Sequence, residues 1–203
     1  MSVCSIEFKI NGIGSMLMHN GRLADQLDFY TKALKPLTSA KKKSDEKHLE
    51  IGMVEWEGGL YMSKTNPDGS WAEDSIPVIP ANVLYATLLN GAKKSKKGTS
   101  YKSGVFVNDD AKFTFASASK TLAELRKNPA HHDRRMENVQ GKKIARTRPI
   151  FSDWSATFIV DYDPSIIDAP DVVQLVTDAG RLVCIGDRRP AYGRFEVVSA
   201  KEV

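Results

Sequence analysis

The chain has 203 residues and a mass of 22.5 kDa, the size of one domain or of one domain with a large insertion, which excludes a repeat array, a multidomain enzyme and a peptide-sized scaffold. With 41% hydrophobic and 27% charged residues it has the composition of a globular protein whose apolar burial can offset chain entropy without staples. The net charge of +4 hides an asymmetry: residues 1–149 carry 24 Lys+Arg against 16 Asp+Glu, and residues 150–203 carry 5 against 9. A basic body followed by an acidic segment points to a polyanionic partner.

No run of 18 apolar residues occurs, and the start Met1-Ser2-Val3-Cys4-Ser5-Ile6-Glu7 lacks the blocks of a secretory signal. The expectation is a cytoplasmic protein without a membrane span. Cys4 and Cys184 are too few for a disulfide framework and lack CxxC spacing, so they read as reduced thiols packed against apolar neighbours, with no metal site and no cofactor.

In chain order, Ile6, Phe8 and Ile10 alternate with Glu7 and Lys9 as a half-buried strand requires. A polar loop, Ser15 to Arg22, leads into a helix expected over 24–34 and stopped by Pro36. Lys41, Lys42 and Lys43 precede Ser44, an N-cap residue, with Asp45 and Glu46 in the first turn of a helix running to about 57 and ended by Gly58-Gly59. Residues 63–75 are rich in turn formers and read as a hairpin connection or protruding loop. After the extended Ile76 to Pro80, Leu84, Tyr85, Leu88, Leu89 and Ala92 define the core face of a helix whose outer face carries Asn90, Lys93, Lys94 and Lys97.

Beyond it the pattern weakens. Gly98 to Gly104 reads as loop, Val105 to Val107 and Phe113 to Phe115 as short strands, and 126–148 as a basic stretch with eight Lys+Arg against two acids. Trp154, Ala156, Phe158, Val160 and Tyr162 then alternate with polar partners in a strong strand signal. Asp168 is a plausible N-cap for a helix on which Val172, Leu175, Val176, Ala179 and Val183 repeat, and a strand returns over 194–198. Such a strand-helix-strand unit can form parallel pairing by a right-handed crossover. With a similar unit at the N-terminal end, the expected fold is α+β: one ferredoxin-like, RRM-like antiparallel sheet with helices on one face, a loop inserted at 63–75 and an irregular basic insertion at about 98–148.

Catalytic motifs are absent: there is no HExxH, GxxxxGK[ST], GxSxG or GxGxxG. His131-His132 sits among charges and reads as solvated. His19 stands in a loop after the first strand and reads as a satisfied or ligand-facing residue. The basic groups at 41–43, 93–97, 142–148 and 188–194 would, if they converge, line a groove that tracks a phosphate backbone. The loop Gly186 to Phe195 adds glycines for close approach, the forked donors of Arg188, Arg189 and Arg194, and the ring of Tyr192.

Three stretches together resemble the RAMP superfamily, in particular the CRISPR effector backbone subunits that coat guide RNA. They are Ile76-Pro77-Val78-Ile79-Pro80-Ala81-Asn82 running on to Leu88; Gly180 to Gly186 continuing to Tyr192-Gly193-Arg194-Phe195; and the first strand with Met18-His19-Asn20-Gly21-Arg22. Ala81 and Asn82 replace a usual Gly-Ser, and Thr87 and Asn90 stand where basic residues are common. The resemblance extends to a bacteriophage-encoded relative acting in the host cytoplasm. It implies a non-enzymatic protein that binds single-stranded RNA or DNA with little sequence preference and stacks head to tail along it. The implied contacts are His19, Asn20, Arg22, Lys41, Lys42, Lys43, Asn82, Lys93, Lys94, Lys97, Arg146, Arg148, Arg188, Arg189, Tyr192 and Arg194, with Trp71 as a further stacking residue. Two other functions fit the same resemblance. One is a metal-independent RNA endonuclease with His19 as base and Lys93 or Lys97 steadying the transition state; the other is a phage protein that inserts into or caps a host CRISPR complex.

Overall fold

The computed structural model describes residues 3–139 and 141–203. Met1 and Ser2, part of the start read for a secretory signal, and Gln140, within the basic stretch, lie outside the described residues. The elements are β1 (Cys4–Gly12), β2 (Met16–Leu17), a 3-10 turn (Gly21–Ala24), α1 (Phe29–Ser39), α2 (Asp45–Gly59), α3 (Ala81–Lys94) and α4 (Gly98–Gly104). There follow β3 (Val105–Phe106), β4 (Lys112–Phe115), α5 (Leu122–Lys127), β5 (His132–Val139), β6 (Lys142–Phe151) and β7 (Trp154–Tyr162). The chain closes with α6 (Ala169–Asp178), a π-helical turn (Ala179–Val183) and β8 (Phe195–Glu202). They divide into two compact units. The first takes the described part of Met1–Met16 with Val78–Ala116 and Phe151–Val203; the second takes Leu17–Pro77 and Ser117–Ile150. Among the described residues no helix is long and apolar enough to cross a membrane.

The first unit is the ferredoxin-like sheet. Strand order is β3-β7-β1-β8, with β4 also on β7, and each pairing described is antiparallel. Reading β3 and β4 as one edge position gives the βαββαβ path β1, α3, β3/β4, β7, α6, β8. The C-terminal unit read from sequence is corrected in one respect. Strands β7 and β8 run parallel but do not pair, because β1 lies between them and bonds both. Ile6, Phe8 and Ile10 face Val160, Phe158 and Ala156 across the β1/β7 ladder and are buried with them. Phe8 and Phe158 stack at 5.7 Å. From the helices Leu84, Leu88, Val172, Leu175 and Val176 are buried. The other side of β1 and β7 carries Ser5, Glu7, Lys9, Asn11, Ser155, Thr157 and Asp161, with Ile159 the one apolar residue among them, 42% exposed, so one face alone is buried, as the alternation required. Asp168 caps α6 by accepting from the Asp171 N–H at 2.9 Å, but the α-helix stops at Asp178 and the chain finishes as a π-helical turn.

Residues 98–104 form a helix, not a loop. Tyr101 overrides the weak helix propensity of its Gly, Thr and Ser neighbours: its ring is buried, packs 5.1 Å from Tyr85, and its hydroxyl donates to the Tyr85 carbonyl at 3.2 Å.

In the second unit α1 begins later than read, at Phe29, after Asp28 accepts from the Tyr30 N–H at 2.8 Å. Pro36 lies inside it; Pro36 and Lys32 are both exposed, so the helical bond that proline removes is on the solvated side. Ser44 caps α2, accepting from the Lys47 N–H at 3.3 Å. Gly52 stands inside that continuous helix for a packing reason, since a Cβ there would come within 2.8 Å of Thr147 Oγ1 on β6. The 63–75 segment is a hairpin with bridges Met62 to Pro77 and Thr65 to Trp71. The stretch read as irregular, 98–148, is largely regular: α4, β3, β4 and α5 are followed by the hairpin of β5 against β6, in register from His132–Pro149 to Val139–Lys142.

The pair His131-His132 is not solvated. His131 is 4% exposed, its Nδ1 lies 3.0 Å from the Ile150 carbonyl and its Nε2 3.0 Å from Ser117 Oγ. The carbonyl can only accept, so Nδ1 carries the proton and Nε2 accepts from the serine. His132 packs 4.5 Å from the Trp56 ring, and burial, partly opposed by its bond to the Leu125 carbonyl, pushes its pKa below the usual 6.5. A histidine held neutral in the folded state contributes stability that is present above its unfolded pKa and is lost as pH falls below 6.5. The expected result is a Tm that drops between neutral pH and pH of about 5.5, with a shallower drop in His132→Gln, measured by circular dichroism in parallel titrations.

Candidate nucleic-acid interface

Within the first unit, α3 buries Leu84, Leu88 and Ala92 and so turns Asn90, Lys93 and Lys94 outward. The two lysines fall in its last turn, where the helix dipole favours cations. Opposite them is the loop Cys184 to Arg194, whose course is dictated by its backbone. Cys184, Gly186, Arg188 and Gly193 all have positive φ, at 69°, 89°, 52° and 71°. Gly193 has no alternative, because a Cβ there would overlap the Ile185 carbonyl oxygen at 1.6 Å. Its carbonyl accepts from the Ile185 N–H at 2.9 Å, its own N–H donates to the Ser15 carbonyl at 3.0 Å, and Ile13 donates to the Arg194 carbonyl at 2.7 Å. Burial pushes the Cys184 thiol above its usual pKa, so it stays protonated and packs beneath the loop.

The two walls enclose an open groove of about 730 Å³. Lys93 and Lys94 line one side and Arg188 and Arg189 the other, with Asp187 the one carboxylate in the lining. That carboxylate accepts from the Arg188 N–H at 2.9 Å. Four cations against one anion make a local field that selects an anionic ligand, and the two guanidinium forks suit phosphate oxygens. Asn90 completes the wall. The sequence placed it on the face of Lys93 and Lys94 by its spacing of three and four residues, but not among the expected contacts. Tyr192 is half-buried in the same loop and Arg194 is exposed at its end.

Other expected contacts are placed elsewhere. Lys97 is ion-paired with Asp171 of α6. Asn82 is exposed at the opposite end of α3, about 17 Å along the axis from Lys93 at 1.5 Å per residue. The Ala81 N–H beside it donates to the Asp110 carboxylate at 2.9 Å, so this helix start is already capped by a negative charge.

In the second unit Arg22 is engaged within the fold. Its side chain is 14% exposed, pairs with Asp28 at 2.7 Å, donates to the Gly69 carbonyl, and lies over the rings of Tyr30 and Trp71 at 4.8 and 4.3 Å. Trp71 is likewise committed, its Nε1 donating to the Glu57 carbonyl at 3.0 Å. Asn20 caps the 3-10 turn by accepting from the Arg22 N–H at 3.1 Å and donates to the Leu60 carbonyl at 2.9 Å. His19, Arg146 and Arg148 do come together, around a cavity of about 310 Å³, but with Glu55 and Glu137 in the same lining. Glu55 is 3% exposed, pairs with Arg146 and accepts from the Thr147 N–H at 3.3 Å; these cations are matched by carboxylates. Lys41 and Lys42 are exposed between α1 and α2, and Lys43 donates to the Ala40 carbonyl at 2.8 Å.

No protein-family model matches the chain, and no curated protein matches it. The fold does have a counterpart. Over 99% of its length, at TM-score 0.50 and 12% identity, the chain is similar to a chain in the cryo-EM structure of the Type III-B Cmr-beta bound to cognate target RNA. It spans 61% of that chain. At this identity the likeness is one of fold alone.

Removing the guanidinium of Arg22 strands the buried Asp28 carboxylate and the two rings, so Arg22→Ala is expected to cost roughly 3 kcal/mol in urea unfolding. Nucleic-acid affinity under folding conditions should be unchanged.

Proposed function

We propose that the protein binds single-stranded RNA, without cleaving it, by seating the phosphate backbone in the groove between the C-terminal turn of α3 and the loop Cys184 to Arg194. The observation that carries this is the placement of Lys93 and Lys94 opposite Arg188 and Arg189 with a single carboxylate between them. The fold likeness to a chain of a complex bound to cognate target RNA supports the choice of ligand.

Base reading plays a small part in this mode. The outward residues Ser5, Glu7, Lys9, Asn11, Ser155, Thr157, Ile159 and Asp161 of β1 and β7 include no aromatic, and the exposed ring of Phe106 stands beside them on the β3 edge opposite Asp161, so the two central strands offer no stacking platform of the RRM kind. Tyr192 is the ring nearest in sequence to the cationic loop and supplies sequence-tolerant stacking. Contact through phosphates implies little sequence preference, and successive copies coat a long strand.

The test is fluorescence anisotropy with labelled single-stranded RNA across a salt series. Four phosphate contacts give a slope of log K against log salt of about −3, and Lys94→Ala or Arg189→Ala should each reduce its magnitude by about 0.7. Asn82→Ala should change neither affinity nor slope. Absence of binding at low salt, or a slope indifferent to the groove substitutions, refutes the reading. The RNA should be recovered intact after incubation, and electron micrographs should show it coated by protein.

A further inference from the structure

The second unit holds a groove of a different kind, of about 610 Å³, between α2 and the β5–β6 hairpin. Its floor is apolar: Ile51 from α2, and Met136 and Ala145, which face each other across the hairpin, Met136 being 62% exposed. Cations stand on its rim, Lys43, Arg134 and Lys143 among them. Arg134 and Lys143 are exposed and have no acidic partner among the described residues. The one carboxylate in the lining, Glu55, is buried and already bonded to Arg146.

From this juxtaposition we infer that the groove is a docking site for an acidic amphipathic helix of a protein partner. The floor selects the class. Nucleobases bind best to flat aromatic or guanidinium planes, whereas thioether and branched aliphatic side chains mould around Leu, Ile or Met from a helix laid in a groove. The rim supplies the sign: a helix with Glu or Asp flanking its apolar stripe meets exposed cations along both edges, while a basic helix is repelled. Met136, on the hairpin face it shares with Ala145, Arg134 and Lys143, is a large apolar residue left open to water, a feature common at interaction surfaces.

The experiment uses the full chain carrying a ¹³C-methyl label on methionine and a synthetic helix-forming peptide with Leu at i, i+3, i+4 and i+7 and Glu elsewhere. Its control has the same Leu pattern with Lys in place of Glu. The acidic peptide should shift the Met136 methyl resonance, and the Arg134→Glu/Lys143→Glu double variant should weaken its binding at least tenfold by anisotropy. Single-stranded RNA should leave the Met136 methyl unmoved. Because Arg134, Lys143 and Met136 are exposed, the variants keep the fold, which circular dichroism checks. Equal binding of the two peptides, no Met136 shift with the acidic one, or a Met136 shift produced by RNA overturns the assignment. Loss of RNA binding in the α3 groove would leave it standing.

Discussion

The basic loop is where it is because of one backbone contact that no side chain can replace. Gly193 sits with its Cα against the Ile185 carbonyl and its N–H on Ser15, just beyond the end of β1. That strand is the centre of its sheet, bonded on both sides, with Ile6, Phe8 and Ile10 buried beneath it. The loop therefore inherits the rigidity of the core, and Arg188 and Arg189 are presented to Lys93 and Lys94 without being ordered anew when a ligand arrives. Such preorganisation matters most for long cationic side chains, whose immobilisation otherwise consumes much of the electrostatic gain.

Strands β1 and β7 and helices α2, α3 and α6 were legible because each carries its own period or cap: alternation over Trp154 to Tyr162, Ser44 and Asp168 as caps, the apolar stripe of α3. What was hidden depends on partners remote in the chain. Helix α4 exists because Tyr101 finds a cavity beside Tyr85, and no local propensity announces that. Strands β5 and β6 are rich in Arg and Lys, so charge masks their alternation. The order of the sheet, with β1 between β7 and β8, is set by the ladder and not by chain adjacency.

The candidate site was legible in the same partial sense. Charge spacing identified Lys93, Lys94, Arg188 and Arg189, and the structure brings those four together. It could not separate them from Lys97 or Arg22, because a cation's role is decided by whether a carboxylate lies within reach. Lys97 meets Asp171 and Arg22 meets Asp28, and in both cases the charge is spent inside the fold.

The basic body of the chain thus resolves into three environments with different chemistry. Around His19, Arg146 and Arg148 the cations are balanced by Glu55 and Glu137, an arrangement that stabilises packing and attracts little from outside. At α3 and the glycine loop the cations outnumber the one carboxylate in the lining, with Asn90 beside them, which suits the repeating charge of a phosphate backbone. On the β5–β6 hairpin the cations surround an apolar floor, against which the phosphates of a polyanion would lose water without gaining a hydrogen bond. Net charge alone predicts one kind of partner for all three; the groups lying between the charges decide which surface suits a nucleic acid and which suits a protein.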